Sequence, residues 1–459
     1  MANTHKAVIA APLLSLAVYL ILWQAGLTHV ISATVAITVL TAIWWISNAV
    51  PMAAASLVPI ALFPLTGVLS HKQAAEGLGS HIIMLFLGGL LLAKAVEVSM
   101  LHKRVAMGLL SLAGGRSGKP LVFAFMITAA LLSMWISNTA TALVLMPIAI
   151  AVLATLDDDT MKVPLILGIA FACNLGGIGT LVGTMPNLVF AGVYEEITGL
   201  EFGFMHWFSV GLPVVLIGLP ITGLWLTRKL APGHTVNWPA SGGWTRYEKR
   251  TAIVFGLVVF GWVFRQEPFG GWSGLLGITH AGDSTVAVIG AILLFVTPRG
   301  DDSKAYLLNW EKALEIPWGI LLLFAGGLTI AKAFQVSGTA QLLGDSLASV
   351  SSLPVLALIL CLCIATTFIT EITSNTASTT LFMPIMAATA TAAGIPVELM
   401  MIPVAISASC AFMLPVATPP NAVAYSTGYV SMAQMTREGV VLNVLMAMVV
   451  AGVCYIQLA

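Results

Sequence analysis

Long apolar runs broken by short polar ones set the rhythm of the chain. Ala7–Gly26, Val30–Val50, Phe204–Leu226 and Val440–Leu458 each come close to the roughly 20 residues that carry a helix across a bilayer. Other runs are shorter and interrupted. Leu121–Trp135 is followed by Ser137, Asn138 and Thr139, and then by a second apolar run, Ala140–Leu156. Leu353–Ile372 has the same form: Ser374, Asn375 and Thr376 come next, and then Ala377–Ala393. This pattern predicts full spans in the first group. In the second it predicts two helix–turn–helix hairpins that enter and leave the membrane from one side.

Composition strengthens that reading. Of 459 residues, 59% are hydrophobic and 8% charged, and the mean hydropathy is +0.99. A soluble domain carries about 25% charged residues, so the fold class is an all-α polytopic membrane protein. The first apolar run has no small-residue cleavage site after it and reads as a retained helix. The most polar segment, Arg228–Arg250, is too short for a core of its own. A formal net charge of zero gives no field that would draw nucleic acid. The five cysteines lie in apolar surroundings with no metal or redox spacing.

The chain repeats itself. "FLGGLLLAKAVEVS" (Phe86–Ser99) matches "FAGGLTIAKAFQVS" (Phe324–Ser337), and the two Ser-Asn-Thr triplets follow in turn. "GTMPN" (Gly183–Asn187) then matches "ATPPN" (Ala417–Asn421), in the same order and at nearly the same separation. Cytoplasmic loops collect Lys and Arg. After the first Gly-Gly run the chain has Lys103, Arg104, Arg116 and Lys119, whereas the matching stretch 338–354 has no base and one acid, Asp345. The same element is thus expected on opposite sides of the membrane, as an inverted repeat. Arg228, Lys229, Arg246, Lys249 and Arg250 mark 227–250 as cytoplasmic. Inverted repeats with interrupted helices are a signature of secondary transporters, whose substrate lies between the copies.

The triplets suggest a chemistry. Irregular backbone inside a membrane survives only where protein or a water-filled cavity satisfies it. At a hairpin tip, free carbonyls join the hydroxyls of Ser137 and Ser374 and the amide oxygens of Asn138 and Asn375, an oxygen set suited to a hard cation such as Na⁺. The free N–H groups of the following half-helix suit an anion, and Asn NH₂ and Thr hydroxyls add donors. Ser133 and Thr370 stand five positions before their Asn. Thr184 and Thr418 precede Met185-Pro186 and Pro419-Pro420, where proline frees upstream carbonyls; Asn187 and Asn421 are placed to brace these breaks. Neither motif contains Arg, Lys or His. Sodium would then supply the charge that holds a dianion, making anion affinity sodium-dependent.

These residues together, with Met146-Pro147 and Met383-Pro384 downstream of the triplets, resemble the divalent anion:sodium symporter family over nearly the whole chain. The resemblance implies transport of di- or tricarboxylates, and in some members sulfate. It also implies a homodimer in the cell membrane, with scaffold and transport domains, two re-entrant hairpins and an elevator cycle. It assigns a first Na⁺ site to Ser133, the Ile136 carbonyl, Asn138 and the Gly183 carbonyl. The second would use Thr370, the Thr373 carbonyl, Asn375 and the Ala417 carbonyl. Substrate carboxylates would meet Asn138, Thr139, Asn375 and Thr376, walled by Thr184, Thr418 and Pro419. In the first copy, Met185 stands where many relatives have proline.

The expected organisation is scaffold helices over 1–80 and transport elements over 81–203, with hairpin 121–156 and broken helix 163–193. Scaffold helices over 204–315 follow. Transport elements over 316–439 contain hairpin 353–393 and broken helix 396–429, and 440–459 forms a last helix. Blander roles are assigned elsewhere: helix packing for Thr141, Thr379 and Thr380, snorkelling for Lys94 and Lys332, close packing for Gly88-Gly89 and Gly326-Gly327, and a turn for 113–120. Glu371 has Met134 as its counterpart; pairing with a base, remaining protonated and tuning the second site all stay open. The leading function is Na⁺-coupled uptake of C4-dicarboxylates such as succinate, malate or fumarate. The alternatives are a sodium-independent dicarboxylate exchanger, or a citrate or sulfate transporter of the same architecture. No channel filter, catalytic motif or nucleotide-binding domain points to another class.

Overall fold

In the computed structural model, residues 2–112, 118–156, 158–230, 243–266, 270–301, 304–342 and 354–458 are described. Arg116 and Asp345 from the charge comparison, most of the 113–120 turn, half of the 227–250 loop, the first residue of hairpin 353–393 and the last residue of 440–459 lie outside them. Among the described residues every regular element is helical, and the one β-bridge joins Pro298 to Tyr306. Seven helices among the described residues are long and apolar enough to cross a membrane.

The interrupted runs become interrupted helices. Lys119–Ser133 ends just before the first triplet and Asn138–Leu153 begins within it; Val355–Thr370 and Asn375–Ala393 do the same around the second. The expected broken helices appear as Lys162–Ile178 with Met185–Thr198, and as Glu398–Ala408 with Pro419–Ser426. Each downstream half starts at an extended Thr followed by proline in the first turn, where a missing N–H costs nothing. The last helix is longer than its apolar run: Met432–Leu458 takes in Glu438, which Arg228 meets at 2.7 Å.

Packing divides these helices into two sets. Lys119–Ser133 lies along Lys162–Ile178, Val355–Thr370 lies on Glu398–Ala408 and Met432–Leu458, and Phe204–Leu226 joins Lys162–Ile178 to Met432–Leu458. In the other set, His81–Val98 runs along Asp283–Val296, and Trp318–Ser337 packs on Met52–Ala55 and Leu57–Leu65. The Gly-Gly pairs are close-packing positions, as expected. A Cβ on Gly88 would lie 2.6 Å from Ala287, and one on Gly326 would lie 2.5 Å from the Ser56 carbonyl oxygen. The second glycine of each pair faces the hairpin set, Gly89 towards Val182 and Gly327 towards Thr380. Lys94 and Lys332 are held by partners rather than left to snorkel. Lys94 Nζ is 2.8 Å from Glu97 and 2.9 Å from Glu315, and Lys332 Nζ is 2.8 Å from Glu196.

Candidate functional site

Both triplets and both Thr-Pro breaks line one cavity of about 870 Å³. Ser137, Asn138 and Thr139 meet Ser374, Asn375 and Thr376 across it, and Gly183, Thr184, Ala417, Thr418 and Pro419 complete the wall with Ile136. Ser133, Thr370 and Thr373 sit behind that lining. Ser137 (φ −53°, ψ 132°) and the extended Ser374 precede their helices, and neither side chain caps the first turn. The N–H donors of both helix starts therefore remain unused by their caps.

Behind each Asn lies a cluster of oxygens. Ser133 Oγ touches Asn138 Oδ1 and lies 2.7 Å from the Cys173 carbonyl. Thr370 Oγ1 lies 2.6 Å from Asn375 Oδ1 and 3.0 Å from the Ala408 carbonyl. One hydroxyl proton serves one acceptor, so each cluster holds more oxygen than hydrogen, the balance that a hard cation corrects. Gly177 leaves room beside the first cluster. A Cβ there would stand 3.0 Å from Asn138 Oδ1 and 3.1 Å from the Gly183 carbonyl, so these two expected ligands face the same space. Thr373 Oγ1 bonds to Ile369 O at 2.8 Å and pairs with Ser378 Oγ.

The bracing expected of the two later Asn residues is present. Asn187 Nδ2 donates to the carbonyls of Gly177 (3.0 Å) and Thr180 (2.8 Å), and Asn421 Nδ2 donates to those of Ala411 (3.0 Å) and Leu414 (3.1 Å). Sequence reasoning missed Asn174. It is buried, lines the cavity, and donates to Ala411 O, Thr418 Oγ1 and Asn421 Oδ1, tying one broken helix to the other. A lone amide in the apolar run Val163–Leu175 was the signal. Thr379 and Thr380 bond back to the carbonyls of Asn375 and Thr376 within their own helix, in keeping with a packing role.

Four titratable side chains also line the cavity: Lys94, Glu97, His102 and Glu315. Hydrogen bonds from Lys312 and then from Lys94 hold the Glu315 carboxyl below its usual range. Burial pushes the His102 imidazole down, which keeps it neutral near pH 7.

Residues 3–458 match the family model for the sodium:sulfate symporter transmembrane region. The chain belongs to this family of divalent anion:sodium symporters. The sodium-dependent dicarboxylate transporter SdcS of Staphylococcus aureus strain USA300 is 36% identical over 444 residues, covering 92% of this chain and 84% of that protein. Its counterpart in strain MRSA252 matches at the same identity and coverage. Among solved structures, the YdaH transporter of Alcanivorax borkumensis, described as having an unusual topology, superposes with a TM-score of 0.54 at 17% identity. It covers 86% of this chain and 87% of its own, a likeness of fold. The chain is therefore a multi-pass membrane protein and a transporter rather than an enzyme.

Proposed function

We propose that the protein is a Na⁺-coupled symporter that brings C4-dicarboxylates such as succinate, malate or fumarate into the cell. The observation that carries this reading is the meeting of both Ser-Asn-Thr triplets and both Thr-Pro breaks in one cavity. The oxygen cluster at Ser133, Asn138 and Gly183 would hold one sodium ion, and the cluster at Thr370, Asn375 and Ala417 another, with the carbonyls of Ile136 and Thr373 nearby. Cys173 and Ala408 add carbonyls that the sequence reading did not include. Ser137 and Ser374 leave helix N–H groups free for carboxylates, beside Asn138, Thr139, Asn375 and Thr376. The only base lining the cavity, among the described residues, apart from the neutral His102, is Lys94, and it is engaged by Glu97 and Glu315. Two sodium ions would therefore balance a dianion.

The sequence repeat, with its charge asymmetry, supports an inverted pair of re-entrant hairpins and an elevator cycle in a homodimer. Packing supports a partition moved from the one expected from sequence. Phe204–Leu226 and Met432–Leu458 travel with the hairpins, while His81–Val98 and Trp318–Ser337 stay with the scaffold. The cavity extends to Glu97 and His102, beside the basic residues Lys103 and Arg104, which favours an inward-facing state.

Proteoliposomes test the reading. Labelled succinate should enter empty vesicles when an inward sodium gradient is imposed, and succinate analogues should compete more strongly than citrate, sulfate or glutamate. Uptake that needs preloaded dicarboxylate and ignores sodium would identify an exchanger instead. Preferential competition by citrate or sulfate would move the substrate to that class.

A further inference from the structure

One buried carboxylate of the second copy has no acidic counterpart in the first. Glu371 follows Thr370 directly and is 2% exposed. Its Oε1 accepts from the backbone N–H of Phe412 (2.7 Å) and Met413 (2.9 Å) and from Asn443 Nδ2 (2.7 Å). Its Oε2 accepts from the N–H of Leu414 (3.0 Å). Every one of these partners is a donor, the surroundings a carboxylate requires. Among the described residues Glu371 forms none of the ion pairs found, which removes a basic partner from the three fates left open by sequence.

The three N–H groups belong to the unwound stretch between Glu398–Ala408 and Pro419–Ser426. The same stretch is held from its carbonyl side. Asn174 and Asn421 bond to Ala411 O, Asn421 to Leu414 O, and Thr436 to Met413 O at 3.2 Å. It leads straight into Ala417 and Thr418 on the cavity wall. The first copy has no such carboxylate. Met134 occupies the position of Glu371 and its carbonyl accepts from Thr180 Oγ1, while the closing backbone bond is common to both breaks, Gly183 to Thr180 O in the first and Ala417 to Leu414 O in the second.

We infer that Glu371 is a positioning residue of the second sodium site and makes the two sodium sites unequal. By fixing residues 412–414 it holds the Ala417 carbonyl and the Thr418 hydroxyl in register with Thr370 and Asn375. It also places beside the second site a full negative charge that the first site lacks. The second site accordingly fills at lower sodium concentration than the first. The inference rests on the sodium sites proposed above and adds their order of filling.

The test uses the full-length protein in detergent and in proteoliposomes, with wild type, E371Q, E371D and, in the first copy, M134L. Sodium is titrated without substrate while the thermal unfolding midpoint is followed, and the succinate KM is measured separately at saturating sodium. Wild type should show two sodium phases. In E371Q the tighter phase should move roughly tenfold or more to higher sodium, the size expected from removing a nearby charge in a partly screened site. The weaker phase and the KM should change less than about twofold. E371D should retain most of the tight phase, and M134L should leave both phases in place. Should E371Q fail to fold, Asn443→Ala, which removes one donor and keeps the charge, takes its place with an intermediate shift expected. An unchanged sodium titration in E371Q, or in N443A where that stands in, overturns the inference. So does a KM that rises in step with the sodium shift. A wild type blind to sodium overturns the sodium-coupled reading itself.

Discussion

At the level of single residues, Asn138 and Asn375 do two jobs at once. Each offers Oδ1 to an oxygen cluster behind the cavity, and each begins a helix whose first N–H groups have no side-chain cap. In the proposed sites, removing either amide would take an oxygen from the cation and a donor from the anion. Asn138→Ala and Asn375→Ala should each lower sodium-driven succinate uptake at least about 100-fold, since each is asked for two charge-assisted contacts of roughly 1.5–3 kcal/mol. Size-exclusion profiles and melting curves should stay close to wild type. Uptake at the wild-type rate in either variant would remove that residue from the site. The triplets were legible because polar side chains stand out in an apolar run. The carbonyls of Cys173 and Ala408 were not, because a backbone oxygen has no letter in the sequence. Glu371 was visible as an oddity, but its N–H partners come from residues 412–414 and only folding brings them together.

Among the elements, interruption was the readable signal. Polar triplets marked where hairpin helices stop, and the prolines of the two later motifs marked where a second half-helix begins, since a missing N–H is tolerated in the first turn and the residue before proline is held extended. Helix length was less readable where charged residues find partners, as at the start of Met432–Leu458. Which helix lies beside which was not readable at all, because an apolar surface suits lipid and protein equally. Glycine marks some of those contacts. Gly326→Ala would push a Cβ to 2.5 Å from the Ser56 carbonyl, whereas Gly108→Ala meets nothing within 4 Å. The first should cost about 1–3 kcal/mol through overpacking, seen as a lowered melting temperature in detergent. The second should leave it unchanged or slightly raised. Equal melting points would show that the contact between Trp318–Ser337 and Leu57–Leu65 gives way easily.

Across the whole molecule, one group of ion pairs involves none of the residues that line the cavity. His81 meets Glu195 at 3.0 Å and Lys332 meets Glu196 at 2.8 Å, while Gln335 donates to the Glu196 carbonyl. Arg265 joins Glu201 to Asp283, whose other oxygen accepts from the Phe204 N–H. These bonds tie Met185–Thr198 and the start of Phe204–Leu226 to helices of the other packing set. In the proposed cycle they must part for the cavity to open outward. Lys332→Met combined with Glu196→Gln should raise labelling from outside, by a membrane-impermeant thiol reagent, of a cysteine introduced at the cavity-lining Leu143, with Cys361 replaced by Ser. Unchanged labelling would show that these pairs do not hold the state. None of this ion-pair geometry was legible in sequence, since the partners come from distant segments.

The lining of the cavity carries one last consequence. Because the triplets present only dipoles and hydroxyls to the cavity, and Lys94 is already engaged by two acids, the empty carrier would offer an organic acid little reason to stay unless alkali metal is already seated. Cytoplasm is poor in that metal. Unloading would follow from the composition of the compartment the carrier faces, with no separate trigger, and the same dependence would keep the cell's own metabolites from riding back out.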